Sequence, residues 1–348
     1  MSGLLSLIIP VYNGTKYLPG TLDSLENQNY EPIELILVDD GSTDDTLNIM
    51  RSFAKKSRHE VKVISQANAG VSVARNRGFS EADGKYVAFC DQDDLFDPSC
   101  FLKLIDEMER HDSEMAFCGH DFIDEEGKPI GRYDDKHSYP KANPAKGIDV
   151  LYDYLVGKVS IWGGAVLYRR DFLLANGIRY TPHCICAEDN EFFIKALATA
   201  ESVACVKESL AFWRQHPGST SHSFQDLKIE ANLHELTAYL RCKAFMEKRG
   251  KTDTKAYRAL KSLVIPSAYV AYLQKVVLVY GKERFRAMAF AQSLRSKLAD
   301  GCNMMLFMKR TDLYFKLFLA MYLPDAFINL TRKRYEKKTK ARRIQDQT

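Results

Sequence analysis

The chain has 348 residues, 46% hydrophobic and 27% charged, which excludes a disordered or fibrous protein and suits one large domain with a smaller companion. Its eight cysteines match no zinc-ligand or paired redox spacing and are expected as reduced thiols of a cytosolic protein. The net charge of +4 conceals an asymmetry: residues 1–240 carry 24 Lys+Arg against 37 Asp+Glu, and residues 241–348 carry 25 against 8, so an acidic body precedes a basic end suited to an anionic surface.

Leu4 to Ile9 is apolar, with no basic region or cleavage site around it, which predicts a protein that is not secreted. Ser6 to Val11 reads as a strand, Tyr12-Asn13-Gly14 as a turn and Lys16 to Gln28 as a helix. Ile33 to Val38 is a second buried strand, ending in Asp39-Asp40-Gly41-Ser42-Thr43-Asp44, whose last residues can cap a helix reaching about Lys55. Val61 to Ser65 is a third strand, and Asn68-Ala69-Gly70 turns into a helix containing Ala74-Arg75-Asn76-Arg77-Gly78. Tyr86 to Cys90 is a fourth. Strand alternating with helix in this way predicts a doubly wound, mostly parallel α/β sheet. The single glycine after the first strand, Gly14, excludes the G-x-G-x-x-G turn of a dinucleotide-binding dehydrogenase.

The fourth strand runs straight into Asp91, Asp93 and Asp94. In open α/β sheets the C-terminal strand edge is where ligands bind, and an Asp-x-Asp pair suits a hard cation such as Mg²⁺ or Mn²⁺. The competing reading is a polar loop before a helix that starts at Asp97-Pro98. Asp121 to Arg132 reads as a hairpin turning at Glu126-Gly127, followed by a polar loop from Tyr133 to Gly147.

Six stretches, in this order, resemble the family 2 glycosyltransferases and their GT-A fold: SLIIPVYN (6–13), ILVDDGSTDDT (36–46), NAGVSVARNRG (68–78), DQDD (91–94), AEDNEFF (187–193) and FWRQHPGSTSH (212–222). The resemblance spans residues 4–225. It implies a catalytic domain over residues 1–225, with a nucleotide-sugar half to about residue 98 and an acceptor half after it.

In such an enzyme Asp40 accepts a hydrogen bond from the nucleobase, with Pro10, Val11 and Tyr12 lining the pocket, Asp39 close by and Arg75 facing the base or the phosphates. Asp93 is the implied direct metal ligand. Asp91 lies nearer the ribose or reaches the metal through water, and His216 approaches the metal or the diphosphate. Asp94 is the candidate to hold the loop by hydrogen bonds. Asp189 is the implied general base, with Glu188 as runner-up; helix capping is the competing reading for both. One base and no carboxylate nucleophile imply inversion at the anomeric carbon. Trp162-Gly163 is expected beside the acceptor.

From Asp226 the pattern is helical, with helices expected near 226–249, 254–280, 282–299 and 311–335, breaks at 248–251 and 300–301, and a kink or split at Pro324. No run of about 18 apolar residues is present, so no bilayer span is expected. Aromatic and aliphatic bulk from Leu313 to Leu330 followed by RKRYEKKTKARR (332–343) reads as an interfacial membrane anchor, or alternatively as a packed helix with a solvated tail. No nucleic-acid module accompanies the basic run. The expectation is therefore a UDP-sugar (or dTDP-sugar) transferase at the inner face of the plasma membrane, acting on a lipid-linked saccharide. A nucleotidyltransferase or a non-catalytic nucleotide-binding scaffold are the alternatives.

Overall fold

The computed structural model describes residues 3–217, 229–289, 316, 319–320 and 323–345. It divides into two compact units, Met1–Ser219 with Thr254–Ala256, and Thr220–Asp253 with Tyr257–Thr348.

The first unit is built on one nine-stranded sheet. β1 (Leu5–Val11), β2 (Ile33–Asp39) and β4 (Tyr86–Phe89) are buried along their whole length, as strands covered on both faces must be, whereas β3 (Glu60–Ser65) lies at the edge and is only half-buried. These four pair in parallel in the order β3-β2-β1-β4, connected by α1 (Leu18–Glu26), α2 (Thr46–Ala54) and α3 (Val71–Glu81). Asp40 N donates to Val11 O at 2.8 Å, so β1 and β2 end together, and Cys90 N donates to Ile8 O at 2.9 Å, so β4 stops three residues short of them at the same edge. That shared edge is where the acidic residues emerge.

The remaining strands are β5 (Leu95–Phe96), β6 (Met115–Ile123), β7 (Pro129–Gly131), β8 (Val166–Arg169) and β9 (Val203–Arg214). β8 inserts antiparallel between β4 and β6, β9 runs parallel to β6, and β5 and β7 pair antiparallel with β9 and β6. The sheet is thus mixed, with four parallel and four antiparallel pairings among the described residues, not mostly parallel as the strand-helix alternation predicts. The hairpin between β6 and β7 turns at Gly127, whose φ of 87° is the conformation glycine tolerates. α4 (Cys100–Arg110) begins after Asp97-Pro98, and α5 (Gly147–Leu155), α6 (Arg170–Ala175) and α7 (Glu188–Thr199) complete the unit.

The second unit is helical. A helix over Ile229–Lys248 stops before Gly250, which takes φ 66°. The next runs from Lys255–Ala259 through a π-helical turn, Leu260–Val264, into Ile265–Ala289. Pro266 has no N–H to donate back along the helix, and the wider turn takes up the missing bond. The helix passes Gly281 without stopping, against the expected break there; an interior glycine costs a helix only about 1 kcal/mol. A last helix begins at Pro324 and reaches Gln345, after helical residues at 319–320 and a non-helical Leu323, so of the expected kink or split the proline makes the split, as the first residue of a new helix. Its Phe327 and Ile328 are buried with Val270, Leu273, Val276 and Val277, while Arg332, Lys333, Arg334 and Lys337 are exposed. The expected helix over 282–299 lies beyond residue 289 outside the described residues, as does most of 311–323. Contrary to the expectation of no span, Lys255–Tyr280 holds an 18-residue window of mean hydropathy 1.5, long and apolar enough to cross a bilayer; 39% of that window is buried within the protein.

α3 packs so tightly on the sheet that a Cβ at Gly78 would stand 2.4 Å from Ile8 Cγ2 and 3.2 Å from Val38 Cγ2. Gly78→Ala is therefore expected to destabilise the chain by about 1–3 kcal/mol through overpacking, measured as a lowered urea midpoint with unchanged slope.

Candidate active site

Asp91 leaves the end of β4, and Glu188 and Asp189 open α7 after Ala187, which takes a left-handed φ of 60°. Between them lies Arg75 from α3, with only 3% of its surface exposed. Its Nη1 donates to Asp189 Oδ1 at 2.8 Å and its Nη2 to Asp91 Oδ1 at 2.7 Å, with Glu188 Oε1 3.6 Å away. The Tyr180 ring covers the guanidinium at 4.9 Å and is itself stacked on Phe192 of α7 at 4.4 Å. Asn76 fixes Tyr180 from the other side, donating to its carbonyl at 2.8 Å and accepting from its N–H at 3.0 Å. Burial alone would lower the Arg75 pKa, but Asp189 and Asp91 hold it well above its ordinary value.

The carboxylates respond in the opposite sense. Burial, then the charge of Asp189, pushes Glu188 up to about 7. Burial also raises Asp189, a shift that Arg75 opposes. A carboxylate poised near neutrality suits proton abstraction.

Asp93 faces the other way, with His216 Nε2 2.8 Å from its Oδ2. Burial and the charge of Asp91 raise its pKa, which His216 counteracts. Asp94 is sealed inside, 1% exposed, accepting from Arg214 N at 2.9 Å; burial and Asp93 hold it well above the usual carboxylate range. Arg214 in turn donates to the carbonyls of Asp93, Asp124 and Glu125. The Tyr17 ring packs against His216 at 4.4 Å with a tilt of 41° and its hydroxyl donates to Glu125 at 3.0 Å, and Lys16 pairs with the same Glu125. The hairpin turn is thereby tied to the loop that carries Asp93.

Donor set and charge both fit a divalent cation: Asp93, whose anion burial and the charge of Asp91 disfavour, with the Asp91 carboxylate two residues before it and the His216 imidazole beside it. Among the described residues no three acidic, histidine or cysteine side chains form a ready-made cage, which agrees with sites completed by substrate phosphates.

Asp39 and Asp40 are largely engaged within the protein. Asp39 accepts from Ser42 N and Ser65 Oγ, and Asp40 from Gln66 Nε2, Ala69 N and Gly70 N at 2.8–2.9 Å. A carboxylate has roughly four acceptor positions, so Asp40 keeps capacity for one further donor. Pro10 and Val11 are buried at the end of β1, and Tyr12 is 46% exposed beside them.

Gly163 is brought to Asp189: a Cβ there would lie 3.7 Å from its Oδ2. Trp162, expected beside the acceptor, instead turns inward, 9% exposed and stacked on Trp213 at 6.0 Å and 10°. Arg75 likewise differs from the expected placement, since both its terminal nitrogens grip carboxylates. Asn76, Tyr180, Trp213 and Arg214 escaped the sequence reading, although Asn76, Trp213 and Arg214 lie inside its quoted motifs.

Residues 6–174 match the family described as Glycosyl transferase family 2. The uncharacterized glycosyltransferase YibD of Escherichia coli (strain K12) is 31% identical over 250 residues, covering 70% of this chain and 70% of YibD. The chain belongs to glycosyl transferase family 2. Another relative is the putative teichuronic acid biosynthesis glycosyltransferase TuaG of Bacillus subtilis (strain 168), 33% identical over 37% of this chain and 52% of TuaG. Such curated relatives are spanned over 47% to 70% of their length. This family 2 member shares its fold with S. aureus TarS 1-349, crystallised with UDP-GlcNAc, at a TM-score of 0.60 and 18% identity over 97% of this chain and 92% of that one. The mannosyltransferase PcManGT of Pyrobaculum calidifontis, in complex with GDP-Man and Mn2+, superposes with a TM-score of 0.56 and 16% identity over 86% of this chain and 84% of its own. Both likenesses identify the first unit's sheet as a GT-A fold.

Arg75→Met removes the guanidinium that joins Asp91 to Asp189, so burial acts on Asp189 and Glu188 with its largest opposing influence gone. Their raised pKa values then penalise folding above those values and cease to do so once both are protonated. Urea unfolding should show a loss of about 3 kcal/mol at pH 8 that shrinks towards pH 5. A loss independent of pH would contradict the ion-pair account.

Proposed function

We propose that this chain is an inverting, metal-dependent glycosyltransferase moving a hexose or N-acetylhexosamine from a UDP-sugar, or a dTDP-sugar, to a hydroxyl of a saccharide acceptor. The observation that carries this reading is the buried Arg75 joining the Asp-x-Asp end of β4 to the Glu188-Asp189 start of α7. A leaving-group site and a base are thereby held on opposite sides of one guanidinium.

In this reading Asp189 takes the proton of the acceptor hydroxyl, the freed oxygen attacks the anomeric carbon, and the bond to the diphosphate oxygen breaks in line, inverting the centre. Glu188, raised to about 7, is the second candidate for the base. Asp93 and Asp91, with His216 beside them, would hold Mn²⁺ or Mg²⁺, which when bound supplies Lewis-acid charge neutralisation to the departing diphosphate. The remaining acceptor position of Asp40 suits the ring N3 donor of uracil or thymine, and Tyr12 offers an exposed ring beside it. The UDP-GlcNAc of one neighbour and the Mn2+ of another support the donor class and the metal.

We further propose a lipid-linked acceptor for surface polysaccharide synthesis, met from the cytoplasmic side of the membrane; the teichuronic acid relative supports the polysaccharide class. The exposed Arg332, Lys333, Arg334 and Lys337 support an electrostatic contact with anionic lipid, since Phe327 and Ile328 are already buried. Flotation with vesicles containing phosphatidylglycerol, but not with phosphatidylcholine alone, is expected, and it should weaken steeply with salt. Salt-resistant flotation with both would favour apolar insertion instead.

The central test is release of nucleotide from UDP-, dTDP- and GDP-sugars with Mn²⁺ and with EDTA. Metal-dependent UDP or dTDP release from one donor, abolished by Asp93→Ala, is expected. Asp189→Asn should lower transfer by about 10²–10⁴-fold with little change in nucleotide affinity. Nucleotide binding without turnover of any donor, even with membrane lipid extract present, would sink the enzyme reading. A pH profile adds a further check: if Glu188 is the base, an acid limb near pH 7 is expected in the wild type and Glu188→Gln should abolish transfer, whereas transfer retained in Glu188→Gln assigns the base to Asp189.

A further inference from the structure

Next to the base, the sheet presents a continuous aromatic layer that the chemistry above does not use. It starts at Gly163, where a Cβ would already touch Asp189 at 3.7 Å, and passes to Trp162 and then to Trp213, whose rings lie nearly parallel at 6.0 Å. Phe122, opposite Trp213 in the β6–β9 ladder, follows at 5.5 Å and 38°. Trp162 is buried, whereas Trp213 and Phe122 are half-buried and Ile130 on β7 beyond them is 57% exposed. The buried His120 ring packs against Phe122, Trp162 and Trp213 at 5.5, 5.7 and 6.3 Å, and burial lowers its pKa to about 4, so the layer is uncharged near neutrality and is not built for a phosphate or a peptide carboxylate. Aromatic faces are electron-rich and meet the weakly positive C–H faces of a pyranose ring, while the ring hydroxyls stay in water.

We propose that Trp213, backed by Trp162 and flanked by Phe122, is a stacking platform for a pyranose unit of the acceptor chain, one step away from the hydroxyl presented to Asp189. The inference rests on the glycosyltransferase reading. Its continuity with the base through Gly163 is what selects a saccharide over other apolar occupants. The narrow gap at Gly163 admits the acceptor terminus, and Trp213 grips the chain behind it, so the platform selects acceptors with more than one sugar.

The two tryptophans of this chain are both in the layer, which gives a readout independent of turnover. The full chain is titrated with cellotetraose, maltotetraose and tetra-N-acetylchitotetraose while tryptophan emission is followed. A saturable change with at least one of them is expected, lost in Trp213→Leu and retained in weakened form in Trp213→Phe, with Trp162 reporting in both variants. With the responding sugar as acceptor, Trp213→Leu should raise acceptor KM about tenfold more than it lowers donor hydrolysis, the size of one aromatic contact. Phe122→Leu, at the far side of the layer, should act in the same direction but less. No emission change with any of the three sugars, or one that survives in Trp213→Leu, overturns the platform. An equal fall in donor hydrolysis and transfer in both variants also overturns it, because that marks a structural role. If the wild-type chain hydrolyses no donor, the functional reading fails, and the emission titration still decides the platform.

Discussion

The architecture of the site depends on a guanidinium that has no water to turn to. Arg75 is buried and always charged, so folding requires anions around it, and they come from two places distant in sequence: the loop after β4 and the start of α7. The dependence is mutual. Asp189 and Glu188 sit in surroundings that disfavour their ionised forms, and the same guanidinium offsets that penalty. The pair of Tyr180 and Asn76 then restricts Arg75 to one orientation, since Tyr180 is held by two backbone hydrogen bonds below and by Phe192 above. A residue from each of α3, β4 and α7 is thus placed by one interaction, without a rigid element spanning them.

Two kinds of acid result from this arrangement. Asp94, closed off by the Arg214 backbone, serves the loop; Asp93, one residue earlier, is left with an imidazole alone. Arg214 links both to the hairpin turn through three carbonyls, so the position of Asp93 is coupled to the loop at residues 124–125. A short polar run in the sequence therefore divides into a structural half and an open half, and only the three-dimensional neighbours separate them.

That division marks where sequence reasoning ends. The buried strands β1, β2 and β4 were legible because a run that is apolar at every position has no solvent face to offer, and the carboxylates at their ends were legible because the runs stop abruptly. The order of the strands beyond β4 was not. β8 is four residues long, and nothing in VLYR says that it lies antiparallel between β4 and β6; that is decided by pairings across 80 residues of chain. Arg75 was found as a residue but not as an arrangement, because a basic residue on a helix of little amphipathicity gives no hint of which anions it will meet. Trp162 and Gly163 show the same limit at single-residue scale: adjacent in sequence, one turns inward to Trp213 and the other borders the base.

On the proposed reading, the glycine at 163 and the tryptophan beside it make the acceptor side the place where such a chain can diverge. The proposed donor side is dense with mutual hydrogen bonds: Asp39, Asp40 and Arg75 each serve two or more partners and Asp94 is sealed under the Arg214 backbone, so a substitution there disturbs the fold together with any bound donor. The aromatic layer contributes chiefly dispersion and shape, contacts that can be altered one ring at a time for about 1 kcal/mol each. Selection for a new acceptor can act on that surface while the ion-pair centre stays as it is. On the proposed reading, Asp189 has a neighbour held by charge in Arg75 and a neighbour bordering the stacked rings in Gly163, so that one base could serve acceptors of different shape.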